Sequence, residues 1–212
     1  PVECFYSLVN LVGSHDVPRI KTILGEAPPQ HSLSREQQAR YVLTREQERL
    51  AVQRLKLVSL FQMTFPGVPC IYYGDEVGLT GYGDPFNRGT YPWGREDTEL
   101  LEWYRRVAAL RNGLDALRTG EFVPVYYEGD VYAFVRSIRG GKDVFGRERS
   151  DGFALVMVNR SRYKAYTVKL DMQRWGISKL VDVINFGMEF FTREGYLYID
   201  VLPLKGRVLI GF

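Results

Sequence analysis

Two short stretches of the chain set proton-active side chains beside glycine. In Gly13-Ser14-His15-Asp16 an imidazole adjoins a carboxylate, and in Gly74-Asp75-Glu76 two carboxylates stand side by side. A ring nitrogen next to a carboxylate can move a proton or hydrogen-bond a polar ligand, and two carboxyl groups serve as acid and base when they face each other. Consecutive residues at the end of a strand point to opposite faces, so Asp75 and Glu76 do not make such a pair. Metal chemistry has little to work with: the other histidine, His31, sits in a proline-flanked loop, and Cys4 and Cys70 lie far apart in apolar runs. That set has no metal-ligand spacing. Gly140-Gly141-Lys142 lacks the glycine spacing of a phosphate-cradling loop and runs into Asp143. No metal or cofactor is expected.

The elements that must position the His15-Asp16 pair follow from pattern. An apolar run from Phe5 to Val12 breaks at Gly13-Ser14, and Pro18 blocks immediate continuation into a helix. A first strand is therefore expected over Glu3–Val12, with the polar pair at its carboxyl end, the rim where α/β architectures bind ligands. A loop punctuated by Pro28-Pro29 is expected over Lys21–Leu33. Ser34-Arg-Glu-Gln37 and Thr44-Arg-Glu-Gln47 are capping-box patterns that predict a short helix and then a long one. In the long helix Ala51, Leu55, Val58 and Phe61 fall on one face, and Pro66-Gly67-Val68-Pro69 stops it. Cys70–Tyr73 reads as a short buried strand, which makes a βαβ unit with parallel strands. The long loop from Val77 to Glu96 carries Tyr82, Phe86, Tyr91 and Trp93, and loops of that length are often functional. Asp97 or Thr98 then caps a helix whose apolar face includes Leu100, Tyr104 and Val107 and which ends near Asn112-Gly113.

Beyond Leu117 short β-branched and aromatic segments follow one another, from Glu121–Tyr127 and Val131–Ile138 to Tyr196–Leu202 and Arg207–Phe212. Their spacing predicts an antiparallel β-sandwich over residues 118–212, with the glycine-rich, charged stretch Gly140–Asp151 as a solvated hairpin extension. A chain of 212 residues with 45% hydrophobic and 25% charged residues reads as globular. The formal charge of +3 comes without a basic stripe, so no nucleic-acid partner is expected. No apolar run approaches the roughly 20 residues that cross a bilayer, so no membrane span is expected. Buried, reduced cysteines and no visible leader favour the cytoplasm, although the start at Pro1 looks like a cut. Asn159-Arg160-Ser161 is a glycosylation sequon with no visible secretory route. The oligomeric state is left open.

A parallel pair of strands flanked by these helices cannot cover both faces of a parallel sheet, so residues 1–117 look like part of something larger. Strand, helix, strand and helix running into a separate β domain fit the last two βα units of a (β/α)8 TIM barrel followed by a sandwich. The motifs carry a resemblance in the same direction. Gly13-Ser14-His15-Asp16 resembles the motif at the end of the seventh barrel strand in the α-amylase family, glycoside hydrolase family 13. The run Pro66-Gly67-Val68-Pro69-Cys70-Ile71-Tyr72-Tyr73-Gly74-Asp75-Glu76 resembles that family's motif at the eighth strand. Gly83-Asp84-Pro85, Arg88 and Pro92-Trp93 are similar to the following loop in the neopullulanase and cyclomaltodextrinase branch.

The resemblance implies a retaining α-glucan hydrolase, in which a carboxylate nucleophile and a carboxylic acid about 5 Å apart flank an oxocarbenium-like transition state. It assigns Asp16 the part of a third catalytic carboxylate that binds sugar hydroxyls, with His15 hydrogen-bonding the sugar in the same subsite. Asp84 and Arg88 would contact the neighbouring glucose, and the loop aromatics would offer faces to sugar C–H groups. The substrate implied is an α-glucan or maltooligosaccharide. The nucleophile and acid/base belong to the fourth and fifth barrel strands, which this sequence lacks, so the remainder of the barrel is an implied partner and hydrolysis by this chain alone is not expected. A non-catalytic glucan-binding or regulatory module, and a fragment of a glucanotransferase, stay open. Read without the resemblance, Asp16 could cap the following turn, His15 could be a satisfied loop histidine, Asp84 before Pro85 could form a turn, and Arg88 could pair with any surface acid.

Overall fold

The structure is a computed structural model describing every residue from Pro1 to Phe212. In chain order it contains α1 (Val2–Ser7), β1 (Val9–Leu11), α2 (Ile20–Leu24), α3 (Arg35–Arg40), α4 (Arg45–Thr64), β2 (Val68–Cys70), α5 (Thr98–Gly113) and α6 (Asp115–Thr119). Strands β3 (Glu121–Glu128), β4 (Val131–Ile138), β5 (Gly152–Asn159), β6 (Tyr166–Asp171), β7 (Lys179–Asp182), β8 (Glu189–Phe191), β9 (Tyr196–Val201) and β10 (Gly206–Gly211) follow. The chain divides into two compact units. A helical unit comprises Val9–Gln62 and Val68–Ala108, and a β-rich unit comprises Pro1–Leu8, Met63–Gly67 and Ala109–Phe212.

In the helical unit both capping boxes form. Ser34 Oγ accepts from the Gln37 N–H at 3.3 Å while Gln37 Oε1 accepts from the Ser34 N–H at 2.8 Å. Thr44 and Gln47 exchange the same two bonds at 3.3 and 3.0 Å, which starts α4. Leu55 of α4 packs with Leu100 and Tyr104 of α5 and with Ile20, Leu24 and Trp103. Val58 and Phe61, expected on the same face, are only half-buried. Asp97 caps α5, its Oδ1 accepting from the Leu100 N–H at 3.0 Å. β1 and β2 are parallel, with Val9, Asn10 and Leu11 opposite Val68, Pro69 and Cys70. The buried Gln62 side chain fastens α4 to both strands, donating to Asn10 O at 2.7 Å and Cys70 O at 2.9 Å.

Local pattern misled in four places. The strand expected over Glu3–Val12 is extended only at Val9–Leu11, and Val2–Ser7 is helical. A short apolar run carries no period that separates strand from helix, and here Phe5 joins Phe65 and Phe122 of the β-rich unit, with ring centroids 5.9 Å from each. The loop expected over Lys21–Leu33 begins as α2, because α4 supplies what the local sequence does not announce. The buried Lys21 ammonium pairs with Glu48, and Arg54 donates to Leu24 O at 3.0 Å. The strand expected at Cys70–Tyr73 lies instead at Val68–Cys70, and it is not buried. Cys4 and Cys70 are exposed free thiols rather than core residues. An apolar run is buried only where another layer covers it, and Val9, Leu11 and Val68 are each more than half exposed.

In the β-rich unit the expected strands form. One sheet has the order β3-β4-β5-β10-β7-β8 with every neighbouring pair antiparallel, and β6 pairs antiparallel with β9 in a second sheet. Ala133, Val135, Leu155, Met157 and Leu209 of the first sheet share a core with Val168, Leu170, Leu197 and Ile199 of the second. Inward and outward residues alternate along β6 and β9, as a half-buried strand requires. The sequence boundary at residues 117 to 118 falls inside this unit, and two buried arginines account for that. Arg111 donates to Met63 O at 2.7 Å and Gly67 O at 2.5 Å, and Arg136 donates to Thr64 O at 2.7 Å. They satisfy carbonyls at and just beyond the end of α4 that have no helical partner. Burial holds the Arg136 guanidinium down to about 10. The sequon residue Asn159 is fully buried and donates to Lys164 O and Val201 O at 2.8 and 2.9 Å, a structural part.

Candidate functional site

The turn after β1 bears His15 and Asp16. The Asp16 N–H donates to Ser14 Oγ at 3.1 Å, closing the turn on itself. His15 Nε2 lies 3.1 Å from Asp16 Oδ1, and the two side chains are 58% and 73% exposed, open to a ligand. α2 begins after Arg19 with no side-chain cap, so Asp16 does not cap the following helix.

Beneath the turn lies a buried ion pair. Arg19 donates to Asp75 Oδ1 at 3.3 Å and to the Tyr73 carbonyl, and its guanidinium lies over the rings of Tyr72 and Tyr73 at 4.2 and 4.6 Å from their centroids. Burial pushes the Asp75 carboxyl up to about 6, with the Arg19 charge pulling the other way. Gly13 is required there, because a Cβ would stand 2.5 Å from Asp75 Oδ2. Asp75 and Glu76 lie in a short 3-10 turn rather than a strand, so the strand-face argument against their pairing does not apply. Asp75 nonetheless serves structure, since its side chain is 2% exposed and faces Arg19.

Asp84 and Arg88 also come together, Arg88 Nε lying 2.6 Å from Asp84 Oδ1 with both side chains at least half exposed. Their loop is anchored from below: Arg35 donates to Asp84 O at 2.9 Å, the Gly83 N–H donates to Gln30 Oε1 at 2.9 Å, and Tyr82 OH donates to Pro28 O at 2.9 Å. Between the two acid-bearing segments stands Asn87, fully buried, whose Nδ2 donates to His15 O and Val17 O at 2.8 Å each. The loop aromatics divide. Tyr82 is core, whereas Trp93 is 80% exposed with its ring 4.5 Å from that of Tyr91. A shallow hollow in the β-rich unit, lined by Arg139, Phe153, Trp175 and Phe212 among others, holds none of these residues. Sequence reasoning missed Arg19, Arg35, Gln62 and Asn87, whose work is done through backbone carbonyls and a buried ion pair.

Residues 3–119 match the family described as alpha amylase, catalytic domain. The chain belongs to the α-amylase family. Among its relatives an amylopullulanase of Thermoanaerobacter thermohydrosulfuricus is 39% identical over 214 residues, covering 100% of this chain and 14% of that protein. A cyclomaltodextrinase of Geobacillus thermopakistaniensis is 32% identical over 213 residues, covering 99% of this chain and 30% of the relative. The chain thus spans less than a third of either. A solved α-amylase of Geobacillus thermoleovorans, complexed with acarbose, superposes with a TM-score of 0.73 at 20% identity, over 98% of this chain and 39% of its own, a likeness of fold. Such α-amylase-family enzymes combine a TIM barrel with a C-terminal domain.

Proposed function

We propose that this chain is the C-terminal portion of a retaining α-glucan hydrolase, with residues 1–117 supplying the last two βα units of its barrel and residues 118–212 its C-terminal sandwich. The observation that carries the reading is the exposed His15-Asp16 pair on the turn after β1, tied through Asn87 to the exposed Asp84–Arg88 pair. The uncovered apolar residues of the β1–β2 pair support the further point that more strands belong alongside. On this reading Asp16 accepts hydrogen bonds from glucose hydroxyls, bonds that strengthen as the ring flattens toward the transition state. His15 donates to the same sugar, and the Asp84 carboxylate and Arg88 guanidinium hold the adjoining residue. The nucleophile and the acid/base belong to barrel strands outside these 212 residues, so the chain alone binds but does not hydrolyse.

The test is to assay maltotriose and pullulan hydrolysis by the chain alone, and by the chain together with a polypeptide supplying the upstream barrel strands. No turnover alone, turnover with both, and loss of at least about a hundredfold in kcat/KM on Asp16→Asn are expected. Maltooligosaccharide binding with no turnover from the reconstituted pair would favour a non-catalytic glucan-binding module. Transfer outpacing hydrolysis would favour a glucanotransferase. Turnover by the chain alone, or full activity of Asp16→Asn, would sink the assignment.

A further inference from the structure

Asn87 is fully buried, and its side-chain oxygen has no hydrogen-bond partner. An amide that gives up water without pairing both ends costs stability, and an apolar residue of similar size would fill the space more cheaply. What the amide provides is its two donors, spent on carbonyls two residues apart, His15 O and Val17 O, at 2.8 Å each. The residue between those carbonyls is Asp16. The orientation of the amide is fixed by this geometry, since the flipped form would set an oxygen against two carbonyl oxygens. On its own segment Asn87 lies within the turn Phe86–Arg88, one residue before Arg88 and three after Asp84.

We propose that Asn87 is a positioning residue that fixes the backbone on either side of Asp16 and locks it to the Asp84–Arg88 turn, so that the carboxylate of one segment and the ion pair of the other meet a ligand as one preorganised surface. This deepens the glucan-site reading and rests on it for the identity of the ligand. The interior supports the clamp elsewhere on the same turn: the Arg19 N–H donates to Gly81 O at 2.9 Å, joining the far end of the turn to the long loop. Without the Asn87 donors the segment around Asp16 keeps its own Ser14 and His15 contacts and the Arg19 anchor, and the backbone that aims the Asp16 carboxylate loses its tie to the Asp84–Arg88 turn.

The test uses the whole chain with Asn87→Leu, Asn87→Ala, Asp16→Ala and the double variant Asp16→Ala with Asn87→Ala. Asn87→Leu keeps roughly the volume and removes both donors without burying a charge, so a residue that merely fills space is rescued by it and a clamp is not. Amide hydrogen exchange is expected to speed at least tenfold over residues 13–19 in Asn87→Leu and Asn87→Ala, with α4 still protected. Unchanged exchange there overturns the clamp, as does loosening spread equally over α4. Titration with maltotriose is the second readout. Each single substitution is expected to weaken binding about tenfold, and the double variant to bind no more weakly than Asp16→Ala alone, because Asn87 acts through Asp16. Additive losses overturn that route. Wild-type chain that binds no maltotriose counts against the glucan reading, and the clamp is then decided by exchange alone.

Discussion

The helical unit contains two arginine–aspartate pairs that share their chemistry and little else. Arg88 and Asp84 approach to 2.6 Å on the surface, their side chains 50% and 63% exposed. Arg19 and Asp75 stand farther apart, at 3.3 Å, with side chains 0% and 2% exposed. Distance alone would rank the surface pair first. Burial reverses the ranking, because water screens the exposed charges, while neither member of the inner pair can turn to solvent if the other is lost. The inner pair is therefore committed to holding Gly13, Tyr72 and Tyr73 in place beneath the turn. The outer pair stays in contact with solvent, as the ligand-binding part proposed for it requires.

The largest expected effect breaks the inner pair. Arg19→Ala strands the Asp75 carboxylate in a dry site, removes the donor to the Tyr73 carbonyl and leaves a void over the rings of Tyr72 and Tyr73. Loss of one partner of a buried pair costs about 3–5 kcal/mol. Chemical denaturation of the chain should show it as a lower midpoint, with residues 13–19 exchanging faster than α4 in what remains folded. A loss under about 1 kcal/mol would mean that the pair is no more than a surface bridge out of sight.

A second effect separates the pairs by pH. Burial raises the folded Asp75 carboxyl to about 6, against an ordinary value of 3.8. Below about pH 4 both folded and unfolded chains hold this proton, and above about pH 6 neither does. Between those limits the folded chain binds more protons than the unfolded one, so this group's contribution to stability falls as pH rises. The change amounts to roughly 2–3 kcal/mol across the window. The stability difference between wild type and Asp75→Asn, followed from pH 4 to 7, should drift by that amount in favour of the variant, and a flat difference would refute the assignment.

The contrast between the pairs also explains how far the sequence could be read. The strands of the β-rich unit and both capping boxes announce themselves because their signals are local: alternation along β6 and β9, and hydroxyl and glutamine three residues apart at Ser34 and Thr44. His15, Asp16, Asp84 and Arg88 stood out by residue type and by resemblance. Asn87 did not, since its partners lie 72 and 70 residues away and are carbonyls, which every residue possesses. Arg19 was hidden for the same reason, and α2 because the contacts that stabilise it come from α4. The exposure of Cys70 and Val68 was misjudged because an apolar run states what a surface prefers and not whether anything covers it.

The smallest expected effect on stability belongs to the outer pair, and it is the one that sharpens the comparison most. Arg88→Ala removes a contact shorter than that of Arg19 with Asp75, yet both ends remain hydrated when it is broken. The turn itself is held by Arg35 on the Asp84 carbonyl, Gln30 on the Gly83 N–H and Asn87 on the segment after β1, none of which needs the Arg88 guanidinium. Stability should therefore change by less than about 1 kcal/mol, while maltotriose binding weakens roughly tenfold through loss of a charge-assisted donor. Measuring both on one protein sample tests the division of labour directly. A stability loss comparable to that of Arg19→Ala would make Arg88 a second structural anchor, and unchanged binding would remove it from the proposed glucan site without bearing on the parts proposed for Asp16 and His15.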